Sequence, residues 1–243
     1  MSAKKPRFRR ILLKLSGEAL MGHRPYGIDP AVLQTVAEEV RLVHELGVET
    51  GIVIGGGNIF RGLHASEYGL GRVAADHIGM LATVMNALAL REALSQKGPE
   101  VRVLSAIEMD KIAEPYIRDK AVSHLRRGKI VLFAAGTGNP YFSTDTTAAL
   151  RAMEIGAEVF LKATKVDGVY DADPEKVPSS RFFPRLTYQE FLEKNLQVLD
   201  MTAVTLAMGQ NLPIVVFNLK KKGNIRRVIL GEKLGTLISG RSK

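Results

Sequence analysis

Short apolar runs rich in branched side chains alternate along this chain with longer stretches whose apolar residues recur at helical spacing. No other feature restricts the fold as much. Strands separated by helices are joined by crossovers that lay them parallel, and the resulting sheet is covered by helices on both faces. Strands are expected over 8–15, 48–54, 101–105, 130–135, 158–162, 214–217 and 235–239. The run at 48–54 is apolar nearly throughout, the pattern of a strand buried on both faces. Asp29 suits a helix N-cap and Pro30 the first helical position. Val36, Val40, Val43 and Leu46 then keep helical spacing until Gly47 stops the helix. Further helices are expected over 71–96, 117–125, 144–155, 187–195 and 200–210. The segment 173–185, with Pro174, Pro178 and Pro184, reads as an extended loop.

With 243 residues, 46% of them hydrophobic, the chain can bury a sizeable core as one large α/β domain or two closely merged lobes. It has no cysteine, which excludes disulfides, thiolate metal sites and a cysteine nucleophile. No uninterrupted apolar run approaches the ~18–20 residues of a membrane span. The basic segment 1–10 leads into Ile11-Leu12-Leu13-Lys14, too short for a signal-peptide core and broken by lysine, so a soluble cytoplasmic protein is expected. The formal charge of +9 suits a polyanionic partner, either nucleic acid or a phosphorylated substrate. The basic clusters at 4–10, 126–129 and 220–227 each read as a solvated face. No aromatic residues interleave with them, which argues against a stacking platform for nucleic acid.

The loops after the strands carry the chemistry. Lys14-Leu15-Ser16-Gly17-Glu18 follows the first strand and Gly55-Gly56-Gly57-Asn58 the second. Gly136-Thr137-Gly138-Asn139-Pro140 follows the fourth, and Lys162-Ala163-Thr164-Lys165-Val166-Asp167-Gly168-Val169-Tyr170 closes the fifth. Glycines let backbone N–H groups approach an anion, and the next helix N-terminus adds a favourable dipole. Alone, a glycine triplet reads as a tight turn; four such loops on one sheet edge read as a phosphate site. The P-loop pattern and G-x-G-x-x-G after the first strand are both absent, as is H-E-x-x-H. Ser16-Gly17-Glu18 has no nucleophile-elbow context. A kinase acting on a small phosphate-bearing acceptor fits these loops.

At these residues the sequence resembles the amino acid kinase superfamily, and within it most closely the UMP kinases of bacteria. The matching segments are the run from Arg10 through Lys14 to Leu20, Val53-Ile54-Gly55-Gly56-Gly57-Asn58 with Arg61-Gly62, the run from Asp76 to Asn86, Gly136 to Pro140 with Thr144-Asp145, and Leu161 to Tyr170. The resemblance spans nearly the whole chain. It implies a three-layer αβα sandwich on a mainly parallel sheet, forming a single domain over 1–243 with the acceptor toward the N-terminal part and ATP toward the C-terminal part. It further implies phosphoryl transfer from ATP to UMP with Mg²⁺, within pyrimidine nucleotide biosynthesis, by a homohexamer.

Phosphoryl transfer rests on positioning and charge neutralisation, so fixed cations and backbone donors should dominate. Carried onto this sequence, the resemblance places Lys14 on the transferring phosphoryl group and Lys162 as a second cation, and Arg61 can neutralise phosphates bidentately. It turns Gly56 toward UMP and Gly57 toward ATP. Asp145 and Asp200 each open an expected helix. An N-cap is one reading; the resemblance gives both a site role, fixing the lysines or the metal. Neither needs to be a general base, since a UMP phosphate oxygen is already anionic. Asp76 is expected at the uridine ribose. Thr137, Gly138, Asn139, Pro140, Tyr141, Phe142, Ser143 and Thr144 are expected to wrap UMP, with Asn139 or nearby backbone at the uracil edge. Leu15, Ser16 and Gly17, with Thr164, Tyr170 and Asp173, are expected at the adenine nucleotide. Tyr170 either packs on the base or is an ordinary core tyrosine. Met80 and Met85 read as core or subunit contacts. UTP is expected to inhibit at the UMP site. Arg91 and Arg102 match basic positions of a GTP activator site, while Ser95 and Arg118 stand where some relatives carry histidine and tryptophan. Two alternatives stand beside this: a superfamily kinase for a carboxylate or carbamate, and a basic nucleotide sensor or DNA-binding regulator.

Overall fold

The computed structural model describes residues 5–61 and 69–240; positions 1–4 of the basic segment and Gly62, quoted above, lie outside them. Among the described residues a nine-stranded sheet has the order β4-β3-β5-β2-β1-β6-β10-β11-β9. The strands are β1 (Arg10–Leu15), β2 (Glu49–Ile54), β3 (Val101–Ser105), β4 (Glu114–Pro115), β5 (Ile130–Ala134), β6 (Val159–Thr164), β9 (Arg185–Thr187), β10 (Ile214–Asn218) and β11 (Thr236–Ser239). All neighbours pair in parallel except β10 with β11. A separate antiparallel pair joins β7 (Val169–Tyr170) to β8 (Phe182–Phe183). The helices are α1 (Pro30–His44), α2 (Arg72–Ser95), α3 (Arg118–Arg126), α4 (Thr144–Ile155), α5 (Tyr188–Glu193), α6 (Met201–Gly209) and α7 (Asn224–Ile229).

Period-two alternation divides the strands between two cores. Ile11, Leu13 and Leu15 of β1 cluster with Ile52 and Ile54, with Val36 and Val40 of α1, with Leu90 of α2 and with Ile225 of α7. Leu12, Val53 and Phe160 cluster on the other face with Ala148 and Ala152 of α4, Phe191 of α5 and Val204 of α6. The result is a layer of helices on each face of a mainly parallel sheet. Lys14 and Lys162 stand two residues beyond Leu12 and Phe160, so both leave the sheet on the α4 side.

Local signals set several boundaries. Asp29 caps α1, its Oδ1 accepting from Ala31 N at 2.9 Å and Val32 N at 3.2 Å. Gly156 closes α4 at φ 66°, a left-handed conformation that glycine adopts without strain. Thr187 and Glu190 form a reciprocal capping box at α5. The segment expected to be a loop over 173–185 instead contains β8 and leads into β9. The basic cluster at 220–227 overlaps the first four residues of α7, a helix that was not expected there. Among the described residues α2 is the one helix long and apolar enough, by length and composition, to cross a membrane. Here its inner face joins the first core through Met80, Leu90 and Leu94.

Candidate active site

β5, β2, β1 and β6 are neighbours and parallel, so the four loops after them leave the sheet side by side. From β1 the chain goes first to β2 on one side and returns later to β6 on the other. Such a reversal opens a crevice at the carboxyl ends of the strands. Lys14 and Lys162 are direct partners in the β1–β6 register. Asp145, in the first turn of α4, sits between them. Lys14 Nζ lies 2.8 Å from Asp145 Oδ1, and Lys162 Nζ donates to Oδ2. All three residues are buried, at 7%, 7% and 9% exposure.

Burial disfavours the Asp145 carboxylate, but the charges of Lys14 and Lys162 outweigh it and hold the group at about 2. Burial, then repulsion from Lys14, pushes Lys162 down to about 8 against the pull of Asp145. Two cations against one anion leave surplus positive charge where water is nearly excluded. A phosphate is the natural complement to such a site.

Asp145 does not cap its helix; Ser143 does, its Oγ accepting from Asp145 N and Thr146 N at 3.0 Å each. Asp200 caps α6 through Ala203 N at 2.7 Å, and also accepts from Thr146 Oγ1 at 2.9 Å and from Ser143 Oγ. The two helix N-termini are thereby locked together. Asp200 reaches Lys162 through space only, its charge favouring the protonated amine.

The glycine loop is braced from behind. A Cβ on Gly17 would fall 2.4 Å from the Gly55 carbonyl oxygen, and one on Gly56 would fall 2.8 Å from Gly79 O. Asn58 and Asn86, both buried, exchange amide hydrogen bonds at 3.0 and 2.7 Å. Asn86 Nδ2 also donates to Gly55 O at 2.7 Å, and Asn58 Nδ2 to Gly27 O at 2.9 Å. Sequence reading gave Asn86 no role beyond ending the matching run from Asp76; its signal was an amide in an otherwise apolar helix stretch. Arg61 is exposed, with Nη2 3.2 Å from Glu18 Oε1 and Nε 3.4 Å from Gly57 O, so it rests between the first two loops.

Beside this loop lies a cavity of about 130 Å³, lined by Gly56, Gly57, Asp76, Thr137, Phe142 and Thr144 among others. Asp76 Oδ2 accepts from Tyr141 N at 2.7 Å and from Arg72 Nε at 2.9 Å. Asp76 thus fastens α2 to the loop that follows β5. Tyr141 has φ 71°, unusual for a side chain of that size, and Ala135 and Gly136 both sit at 61°. Asn139 turns back on its own loop, its Nδ2 3.4 Å from Thr137 O. Gly138 is packed tightly, since a Cβ there would lie 2.9 Å from Ala106 O.

The amino acid kinase family model matches residues 9–218, a span that holds every candidate site residue. The chain belongs to the amino acid kinase family. Its structure is similar to that of UMP kinase from Bacillus anthracis, with 43% identity, 97% of each chain covered and a TM-score of 0.94. UMP kinase from Ureaplasma parvum is 37% identical over 96% of this chain and 99% of its own, with a TM-score of 0.90. Uridylate kinase from Archaeoglobus fulgidus is 28% identical over 94% and 99%, with a TM-score of 0.76.

At the ends of β1 and β6, Leu15 and Gly17 are buried and Ser16 and Thr164 half-buried. Tyr170 is half-buried and tilts its ring against Phe182, with centroids 5.3 Å apart. Asp173 is exposed and accepts from Glu175 N at 3.0 Å. Arg91 and Arg102 line a different cavity, of about 180 Å³, at the β3–β4 edge with Lys111 and Glu114. Met80 is buried in the core, whereas Met85 is exposed.

No group of three or more potential metal ligands occurs among the described residues. Both Asp145 oxygens face lysines, leaving Asp200 as a half-buried carboxylate near Lys162. That donor set fits Mg²⁺ held chiefly by substrate phosphates with one carboxylate beside it.

Proposed function

We propose that this kinase transfers the γ-phosphoryl group of ATP to UMP, giving ADP and UDP, as a step of pyrimidine nucleotide biosynthesis. The observation that carries the reading is the buried Lys14–Asp145–Lys162 cluster at the strand ends, with Asp145 next in sequence to Thr144 of the glycine-lined cavity. The 43% identity to a UMP kinase over nearly the full length supports the uracil nucleotide as acceptor.

An anionic UMP phosphate oxygen attacks the γ-phosphorus as the bond to the ADP oxygen breaks, and no proton has to be removed. Lys14 and Lys162 neutralise the transferring phosphoryl group, and Asp145 keeps both amines aimed at it. Arg61 swings from Glu18 to bridge the phosphates. Gly56 N–H serves UMP and Gly57 N–H serves ATP. Asp200 would hold Mg²⁺ brought in with ATP, and the ion would supply further neutralisation of phosphate charge. Asp76 and the segment from Thr137 to Thr144 hold the nucleoside of UMP, in the N-terminal part of the domain. Leu15, Ser16, Gly17, Thr164, Tyr170 and Asp173 hold the adenine nucleotide, toward the C-terminal part. UTP competes with UMP, and GTP activates from the Arg91–Arg102 groove. The enzyme works in the cytoplasm as a homohexamer, a reading supported by Ile78, Leu81 and Met85 lying exposed along one side of α2.

An ADP-coupled assay with UMP, CMP, acetylglutamate and aspartate tests the acceptor. Turnover is expected with UMP far above the others. No ADP formation with UMP, or faster turnover with a carboxylate, overturns the assignment.

A further inference from the structure

Arg151, in the middle of α4, is 4% exposed. A guanidinium is an unfavourable filler for a protein interior, where a well-packed apolar residue would serve stability as well or better. Its surroundings are specific. The guanidinium carbon lies 3.7 Å from the centroid of the Tyr116 ring. Nη1 donates to Glu154 Oε2 at 2.6 Å, and Tyr116 OH donates to the same oxygen at 2.5 Å. The Tyr116 ring is itself held edge-on to Phe133 of β5, with centroids 5.7 Å apart. The remaining arm of the fork, Nη2, donates to the carbonyl of Gly136 at 3.3 Å.

Gly136 lines the acceptor cavity, and it follows Ala135 in consecutive left-handed conformations, both at φ 61°. The left-handed Ala135 in this pair persists only where its surroundings over-determine it. From α2, Thr83 Oγ1 accepts from Ala135 N at 2.9 Å. From α4, Arg151 supplies the donor for Gly136 O. We infer that Arg151 is a positioning residue: stacked on Tyr116 and paired with Glu154, it fixes the Ala135–Gly136 turn and so shapes the pocket for the acceptor phosphate ester without touching it. The inference rests on the acceptor assignment made above. Lysine cannot replace it, because an ammonium can neither lie flat on the ring nor reach two acceptors in a plane.

The test compares Arg151→Lys and Arg151→Met with the wild-type enzyme. KM for UMP is expected to rise roughly 10-fold or more in both variants, the scale of one lost charge-assisted hydrogen bond, with KM for ATP changing less than about 2-fold. Hydrogen exchange followed by mass spectrometry should show faster exchange in the peptide covering 135–143 and unchanged exchange in that covering 52–60. Equal rises in both KM values, or unchanged exchange at 135–143, overturns the inference. A wild-type enzyme inactive on UMP would instead overturn the acceptor assignment, and the exchange measurement would still decide the role of Arg151.

Discussion

At the scale of single residues, the in-register lysines decide what the site can do. A phosphoryl-transfer site needs Lys162 as a cation, and burial places its titration at about 8. We predict that kcat/KM falls as pH rises through that value. Arginine stays charged across this range, so Lys162→Arg should keep some activity and move the alkaline limb upward. A limb that stays near 8 in the variant removes Lys162 as its source. Stability runs the other way. Between about 8 and the ordinary lysine value of 10.5, the unfolded chain binds more protons at this position than the native state. The contribution of Lys162 to folding therefore becomes more favourable with rising pH while catalysis is lost, which denaturant titrations at pH 7.5 and 9.5 can follow. Both lysines were legible in the sequence as lone charges near the ends of apolar strands. Their pairing was not, because β1 and β6 become neighbours only through the crossover topology. Asp145 and Asp200 looked alike as helix openers. Only packing separates them, leaving one between two amines and the other as a cap tied to Ser143 and Thr146.

At the scale of elements, the long helices and buried strands were legible because their periodicity and caps agree with their burial. β4, β7, β8 and β9 were not. Each has two or three residues and exists through pairing with distant chain rather than through its own pattern. α7 hid behind its basic residues. Its N-cap, Gly223, sits at φ 84° without a capping side chain, and Glu39 of α1 accepts from Gly223 N at 2.7 Å instead. Among the loops of the site, the tightest fit is that of the first two at Gly17. Alanine there would press on the Gly55 carbonyl and on Asn58 Oδ1, and backbone cannot step aside as a flexible side chain can. Gly17→Ala should lose about 1–3 kcal/mol of stability in urea denaturation and raise KM for both nucleotides. Unchanged KM values would mean that the two loops move independently.

At the scale of the whole molecule, α2 is apolar on both sides. Its inner face belongs to the first core, and outwardly it presents Ile78, Leu81 and Met85, at 36%, 52% and 55% exposure. Apolar side chains at helical spacing on a surface mark a place for another protein surface, and a second copy of this chain is the occupant the hexamer reading requires. Met85→Glu should lower the molar mass measured by light scattering on a sizing column. A mass identical to that of the wild type would detach this face from assembly.

β1 lies between β2 and β6, and more than half the chain separates its lysine from the partner opposite. On a ribosome, therefore, β1 and β2 can pair early, while the other edge of β1 waits for β6 to be synthesised. At ordinary elongation rates that wait is on the order of ten seconds. Throughout it, a strand made of Ile11, Leu12 and Leu13 shows an open row of backbone donors and acceptors, the arrangement most prone to pairing with another nascent chain. The strand register that brings two amines together for chemistry also makes the middle of synthesis the stage at which this enzyme is most exposed to aggregation.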